Sequence, residues 1–200
     1  MLTFYLLRHG ETSWNADNNR YCGRTDIDLT EKGIRQAHKV REQLKGVAFD
    51  GIFSSPLKRA RITAEIASGK AVQTDERLIE ADFGNWENKS REEFIAEAPD
   101  LWDNWNTDPT NARAGGTGET GMEIVSRLDN FFSELHSKHT HGNFLVVAHN
   151  GVNRLYMAFK LGMPLKNYRQ IVQLNSSLTQ FTLDEKGIFT LHFLNATTPL

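Results

Sequence analysis

A short apolar run, Phe4 to Leu7, ends abruptly at Arg8, His9 and Gly10. Four to eight apolar residues closed by a glycine turn read as a strand buried on both faces of an α/β sheet. Ligands of open α/β sheets bind beyond the carboxyl ends of the strands. The spacing therefore puts a guanidinium and an imidazole where a substrate would sit, and Gly10 lets the backbone approach it closely. Taken alone, the pair reads equally well as a polar end to a strand. The rest of the chain decides between the two.

Two further strands end in the same manner. Phe49 to Phe53 stops at Ser54-Ser55, and the helix expected over Leu57 to Ala67 brings Arg59 within its first turn. Asn143 to Ala148 is the strongest strand signal in the chain and stops at His149-Asn150-Gly151, from which a helix runs to Leu161. Between these lie a polar loop over 11–28 and a helix opened by Thr30 as N-cap, with Ile34, Ala37, Val40 and Leu44 as its inward stripe. A short strand follows over Ala71 to Thr74, then an excursion of short helices, among them Ser90 to Ala98. Glu119 to Lys138 is amphipathic, with Met122, Val125, Leu128, Phe131, Phe132 and Leu135 at helical spacing. The last forty residues read as a hairpin, Leu178–Leu183 and Ile188–Leu194, turning at Asp184–Gly187.

Charge narrows the function classes. With 23 basic against 25 acidic residues, neither a nucleic-acid face nor a membrane anchor is indicated, so anion binding must come from a few placed cations. Cys22 is the only cysteine, which excludes an intrachain disulfide and fits a reducing cytoplasm. Arg8 interrupts the apolar start too early for a signal-peptide core. The expectation is one cytoplasmic domain over residues 1–200, with the excursion at about 80–120 lying over the site.

Three strand ends thus bring two arginines and two histidines to one edge of a sheet. A phosphoryl group suits that set best, because guanidinium forks pair bidentately with phosphate oxygens. The segments LLRHGETSWN, GRTDIDLTEKGIRQA, FSSPLKRARITAEI, RLIEADFGNWE, GETGMEIVSRL and LVVAHNG resemble, in order, the signatures of the histidine phosphatase superfamily, in its phosphoglycerate mutase-like branch. The resemblance implies a three-layer α/β/α sandwich around a mostly parallel sheet. It also implies a phosphatase working through a covalent phosphohistidine, with no cofactor and no metal.

Carried over residue by residue, the resemblance makes His9 the nucleophile and Glu80 the proton donor. Arg8, Arg59 and His149 become the phosphate pocket, and Asn15 a phosphate-contacting amide. His9 is expected to be neutral and His149 cationic. Cys22, Gly23, Arg24 and Asn150 are expected near the substrate, with Arg20, Tyr21, Trp102, Trp105 and Arg113 as further readers of the leaving group, although core or lid packing is the reading that comes first for the two tryptophans. Two departures stand out: many relatives carry a small residue where Asn150 follows the second histidine, and often Ser, Thr or Gln near Cys22. The implied partner is a small phosphorylated metabolite, with sugar phosphates and α-ribazole phosphate as candidates. No nucleic acid or membrane is implied, and a homodimer is left open.

A phosphoglycerate mutase and a catalytically silent phosphate-binding regulator are the competing functions. Only 140 residues separate His9 from His149, shorter than in the true mutases, which favours hydrolysis. Intact His9, Glu80 and both arginines speak against a silent regulator. Gly116 to Gly121 spells a dinucleotide fingerprint, but no apolar strand precedes it. His136, His139 and His141 sit at a helix end, where basic groups complement the dipole, and are read as that and not as a metal site.

Overall fold

The computed structural model describes residues 1–197. The chain runs through β1 (Leu2–Arg8), α1 (Ser13–Ala16), α2 (Glu31–Gln43), β2 (Gly51–Ser54), α3 (Lys58–Ser68) and β3 (Gln73–Thr74). It continues through α4 (Arg91–Glu97), α5 (Pro99–Thr107), α6 (Gly121–Lys138), β4 (Gly142–Ala148), α7 (Asn150–Lys160), β5 (Leu178–Leu183) and β6 (Phe189–Ala196). The sheet order is β3-β2-β4-β1-β5-β6. The first four strands in that order are parallel, β5 is antiparallel to β1, and β6 is antiparallel to β5. The carboxyl ends of β1, β2 and β4 consequently share one edge.

Strand alternation builds both cores. Leu2, Phe4 and Leu6 of β1, with Phe144 and Val146 of β4, point to one face; Tyr5, Leu7, Leu145 and Val147 point to the other. On the first face α6 and α7 close the layer, bringing Leu128, Phe132, Leu155 and Tyr156. On the second, α2 and α3 supply Val40, Leu44, Ala60, Ala64 and Ala67. The result is the expected three-layer α/β/α sandwich with a mostly parallel sheet. Among the described residues, no helix is long and apolar enough to cross a membrane.

Several local expectations shift. The polar stretch 11–28 contains the short helix α1, closed by a capping box between Thr12 and Asn15. The third strand shrinks to Gln73–Thr74. Ile34 is 39% exposed, and Gly33 takes its place on the buried stripe of α2 with Ala37 and Val40. At 3.6 residues per turn Ile34 lies roughly 90° from the centre of that stripe. Met122, also 39% exposed, is displaced by Ile124 for the same reason, sitting roughly 120° off the buried face of α6.

Gly33 faces inward because the loop leaving β1 passes against it. A Cβ there would stand 2.2 Å from the Glu11 carbonyl oxygen, while one on Gly10 would stand 2.6 Å from that of Gly33. Gly33→Ala is therefore expected to cost about 1–3 kcal/mol, the usual range for forced overpacking. A urea unfolding midpoint equal to that of the wild type would show that the loop simply moves aside.

Candidate active site

β1 delivers His9 to the shared edge. Its N–H donates to the Ala148 carbonyl at 3.1 Å, and its own carbonyl accepts from Ser176 N and from Asn175 Nδ2, each at 3.2 Å. Its ring Nδ1 lies 2.7 Å from the Gly10 carbonyl oxygen. A carbonyl can only accept, so Nδ1 carries the proton and Nε2 keeps a free lone pair. Burial, reinforced by the Arg59 and Arg8 charges, holds the imidazole pKa well below its ordinary value. His9 is thus a neutral imidazole whose tautomer leaves Nε2 unprotonated.

His149 caps the start of α7, fully buried, with its ring centroid 5.1 Å from that of His9. Among the described residues neither of its ring nitrogens has a hydrogen-bond partner, nor does the buried Nε of Arg8 or of Arg59. A buried polar group left unpaired costs about 1–3 kcal/mol, so such groups in one place call for a ligand. The charges of Arg8 and Arg59 both bear on the two imidazoles. This set of donors matches the oxygens of a tetrahedral anion.

Arg59 does a second job. Its Nη1 donates to the Thr25 carbonyl at 2.8 Å, and its Nη2 to those of Gly23 at 2.7 Å and Cys22 at 3.4 Å. From the opposite side the Glu87 carboxylate accepts the N–H groups of Gly23 and Thr25. The loop is clamped between a cation on its carbonyls and an anion on its amides. Arg8 is held by one bond, Nη1 to the Gln173 carbonyl at 2.6 Å, and burial draws its pKa down to about 10.

Glu80 reaches the site from the segment after the 3₁₀ turn Glu76–Leu78. Its Oε1 accepts from Ala81 N at 2.9 Å and Val152 N at 3.1 Å, and its Oε2 from Gly151 N at 3.1 Å. The carboxyl therefore docks on the first turn of α7. Gly151 makes room, since a Cβ there would stand 2.8 Å from Oε1. Burial raises the Glu80 pKa above the ordinary carboxyl value, although the three N–H groups and Arg59 oppose it. A carboxyl so balanced can both give and take a proton.

The expected contrast between a neutral His9 and a cationic His149 does not hold. Burial, then the Arg59 charge and His9, keep the His149 pKa well below 6.5 as well. Below the ordinary histidine pKa the unfolded chain binds protons that the folded chain refuses, so stability is lost as pH falls. Each such histidine contributes about 1 kcal/mol per pH unit in that window. Glu80, with its pKa raised, acts in the opposite sense above the ordinary carboxyl range, so the clean measurement is a difference. The thermal midpoint of the wild type should fall more steeply between pH 7 and 5 than that of His149→Asn. Equal slopes would mean that His149 is protonated in the folded protein.

The cavity beyond these groups encloses about 590 Å³, part of it open to solvent. Asn15, Cys22 and Asn150 line it together with Arg8, His9 and Glu80. Asn15 Oδ1 accepts from Thr12 N, Thr12 Oγ1 and Asn175 Nδ2, which leaves its Nδ2 hydrogens for the cavity. Asn150 Oδ1 is buried and has no partner among the described residues. Burial pushes the Cys22 thiol up to about 12, so it is no thiolate nucleophile. Gly23 takes part through its backbone, as an acceptor of Arg59.

Other expected readers of the leaving group lie elsewhere. Arg24 turns to Glu119 at 3.3 Å, and Arg113 to Glu123 and the Gly118 carbonyl. Trp105 is 1% exposed and donates from Nε1 to Tyr168 Oη at 3.3 Å, inside the core. Trp102 packs beside Trp86 and Phe94. Arg20 and Tyr21 do line the cavity, but Arg20 is bonded to Asp17 and Glu93. Sequence reasoning missed Phe83, Arg154, Tyr168 and Arg169 on the wall. The one available signal was the helical spacing from Asn150 to Arg154, which puts both on one face of α7.

The family model described as Histidine phosphatase superfamily (branch 1) matches residues 4–197. Phosphoserine phosphatase 1 of Hydrogenobacter thermophilus is 32% identical over 189 residues, covering 93% of this chain and 89% of that one. Adenosylcobalamin/alpha-ribazole phosphatase of Escherichia coli is 34% identical over 171 residues, covering 82% and 81%. The crystal structure of phosphoserine phosphatase in complex with 3-phosphoglyceric acid from Entamoeba histolytica superposes with a TM-score of 0.89 at 30% identity, over 98% of each chain.

Proposed function

The chain belongs to the histidine phosphatase superfamily, and from that membership we propose that it hydrolyses small phosphomonoesters through a phosphohistidine at His9, without a metal. The observation that carries this reading is the bond from His9 Nδ1 to the Gly10 carbonyl, which leaves Nε2 unprotonated. In the first step the Nε2 lone pair attacks phosphorus, the Nε2–P bond forms and the ester P–O bond breaks. Glu80 gives its proton to the departing alkoxide. In the second step water attacks the phosphoryl group and its proton goes to the Glu80 carboxylate. The Nε2–P bond then breaks, releasing orthophosphate and the starting His9.

Arg8, Arg59 and His149 hold the equatorial oxygens, the place where phosphoryl-transfer sites gain most. Guanidiniums thereby carry the charge that a divalent cation would otherwise neutralise. A bound dianion draws the His149 pKa back upward, so its ring nitrogens become donors when the substrate is present. A mutase must shield its phosphohistidine from water. Here Trp102 and Trp105 of the excursion are buried in the core, and the cavity stays open to solvent, which favours hydrolysis. A cytoplasmic location fits the lone cysteine.

The test is phosphate release with EDTA present, from a panel of sugar phosphates, phosphoglycerates, phosphoserine and α-ribazole phosphate. It is combined with an alkaline quench on labelled substrate. The expected result is metal-independent release and an acid-labile phosphoryl group on the peptide containing His9. Label on another residue, or release abolished by EDTA, would overturn the mechanism. Isomerised product without net phosphate release would make the protein a mutase.

A further inference from the structure

Beyond the phosphoryl pocket the cavity carries cations that the phosphoryl chemistry does not use. Arg154 lies on α7, one turn beyond Asn150, and Arg169 lies in the 3₁₀ segment Leu165–Gln170. Both line the cavity. Arg169 is stacked on the ring of Trp102, 4.4 Å from its centroid, and on that of Tyr168 at 4.5 Å. Its two terminal nitrogens are buried and have no hydrogen-bond partner among the described residues. Arg154 is fixed by a single bond, from Nε to the Tyr168 carbonyl at 3.3 Å, and by packing over the Tyr168 ring. Neither arginine is ion-paired with any carboxylate among the described residues.

The charge balance of the cavity points the same way. Among the described residues Glu80 is the only acidic side chain on its wall, and it accepts from the N–H groups of α7. A phosphoryl dianion is matched by Arg8 and Arg59, which leaves the charges of Arg154 and Arg169 unanswered. Contact with two aromatic rings restrains the Arg169 guanidinium while its terminal nitrogens stay unpartnered among the described residues. A planar fork of that kind pairs best with a planar, two-oxygen anion, and prior ordering reduces what binding must spend on immobilising it.

We propose that Arg154 and Arg169 form a second anion subsite that binds a carboxylate on the leaving group, so that the preferred substrates are phosphorylated hydroxy acids. The proposal rests on the phosphatase reading and names the substrate class for the same site. A neutral leaving group, such as a nucleoside or a sugar, leaves both guanidiniums without an anionic partner. Discrimination against it therefore comes from the enzyme's own unsatisfied donors as well as from the missing contact. Trp102 acts as a positioning residue here, because it touches Arg169 and does not line the cavity.

The experiment compares 3-phosphoglycerate with glycerol 3-phosphate, which differ in having a carboxylate or a neutral hydroxymethyl group. Fructose 1,6-bisphosphate serves as a substrate whose second anion is tetrahedral. For each, kcat/KM is measured on the wild type, Arg169→Gln and Arg169→Lys. The wild type is expected to favour 3-phosphoglycerate over glycerol 3-phosphate. That preference should shrink about 10- to 100-fold in Arg169→Gln, in line with loss of a charge-assisted pair, with Arg169→Lys recovering only part of it. A preference that stays the same in Arg169→Gln overturns the subsite, as does a wild type with no preference. Loss confined to the bisphosphate would replace the carboxylate with a second phosphate and overturn the stated class. If Arg169→Gln fails to fold, Trp102→Leu, which removes the stack but keeps the charge, must lower the same ratio, and an unchanged ratio there overturns the proposal. Wild type that releases no phosphate from any of the three, or from p-nitrophenyl phosphate, fails the phosphatase reading itself, a result separate from a lost preference.

Discussion

Replacing His9 with alanine is expected to lower kcat by about 10⁴- to 10⁶-fold while leaving the affinity for a phosphate-type ligand within a few-fold of wild type. The asymmetry follows from how the site is divided. Arg8 Nε, Arg59 Nε and both His149 nitrogens are buried and unpartnered among the described residues whether or not His9 is present, so the proposed clamp should survive the substitution. What disappears is the lone pair on Nε2, and with it the covalent step that splits one hard displacement into two easier ones. Water cannot take over at once. In the proposed mechanism Glu80 serves the leaving oxygen, and no other carboxylate lines the cavity among the described residues to activate water in its place. The measurements are single-turnover phosphate release and calorimetric binding of inorganic phosphate, on a variant whose thermal midpoint confirms folding. Retention of more than about one per cent of the wild-type rate would mean that catalysis does not run through His9. Loss of phosphate affinity in proportion to rate would mean that His9 serves binding and not bond making.

Much of this site was legible because strand ends are legible. β1 and β4 are buried on both faces, so they read as unbroken apolar runs, and each is cut off sharply by a histidine and a glycine. Parallel pairing then dictates that their carboxyl ends meet, and His9 with His149 follows without any knowledge of loops. Helix phase was less secure. Gly33 was passed over for Ile34 because hydrophobicity was taken as the guide to burial, whereas the α2 face is set by how closely the β1 loop must pass. The far wall was hardly legible, the spacing from Asn150 to Arg154 being its one signal. Arg154 sits on an amphipathic helix, where an arginine reads as a solvated face, and only the Leu165–Gln170 turn folding back over α7 converts it into a cavity wall. The tryptophans divide the other way. Trp102 and Trp105 read as core or lid packing before they read as substrate contacts, and the packing reading is the one their burial supports, as the layer behind Tyr168 and Arg169.

Glu80→Gln is expected to reduce turnover of alkyl phosphates by about 10²- to 10⁴-fold, the range of a placed general acid and base. The effect should depend on the leaving group. An alkoxide needs a proton to depart, whereas p-nitrophenolate departs without one, so phosphorylation of His9 by p-nitrophenyl phosphate should be nearly spared. Hydrolysis of the phosphohistidine still needs a base for the attacking water, and it should slow. The variant is therefore expected to show a burst of p-nitrophenol, close to one per enzyme, followed by a slow steady state. The pH profile should change as well. Burial holds the wild-type carboxyl protonated beyond the ordinary range, so activity toward alkyl phosphates should decline on the alkaline side as Glu80 ionises, a limb that Gln removes. On the acid side His9 must lose its proton to attack, and its depressed pKa places that limb below the ordinary histidine value in both proteins. A structural role predicts something different. Gln can offer one oxygen where Glu80 offers two to Ala81, Gly151 and Val152, so some loss of stability is expected from misplaced donors. That loss would lower both steps with both substrates alike and would leave the pH limbs in place. Only proton transfer separates activated from unactivated leaving groups, so equal losses on the two would take Glu80 out of the chemistry and leave it as a cap on α7.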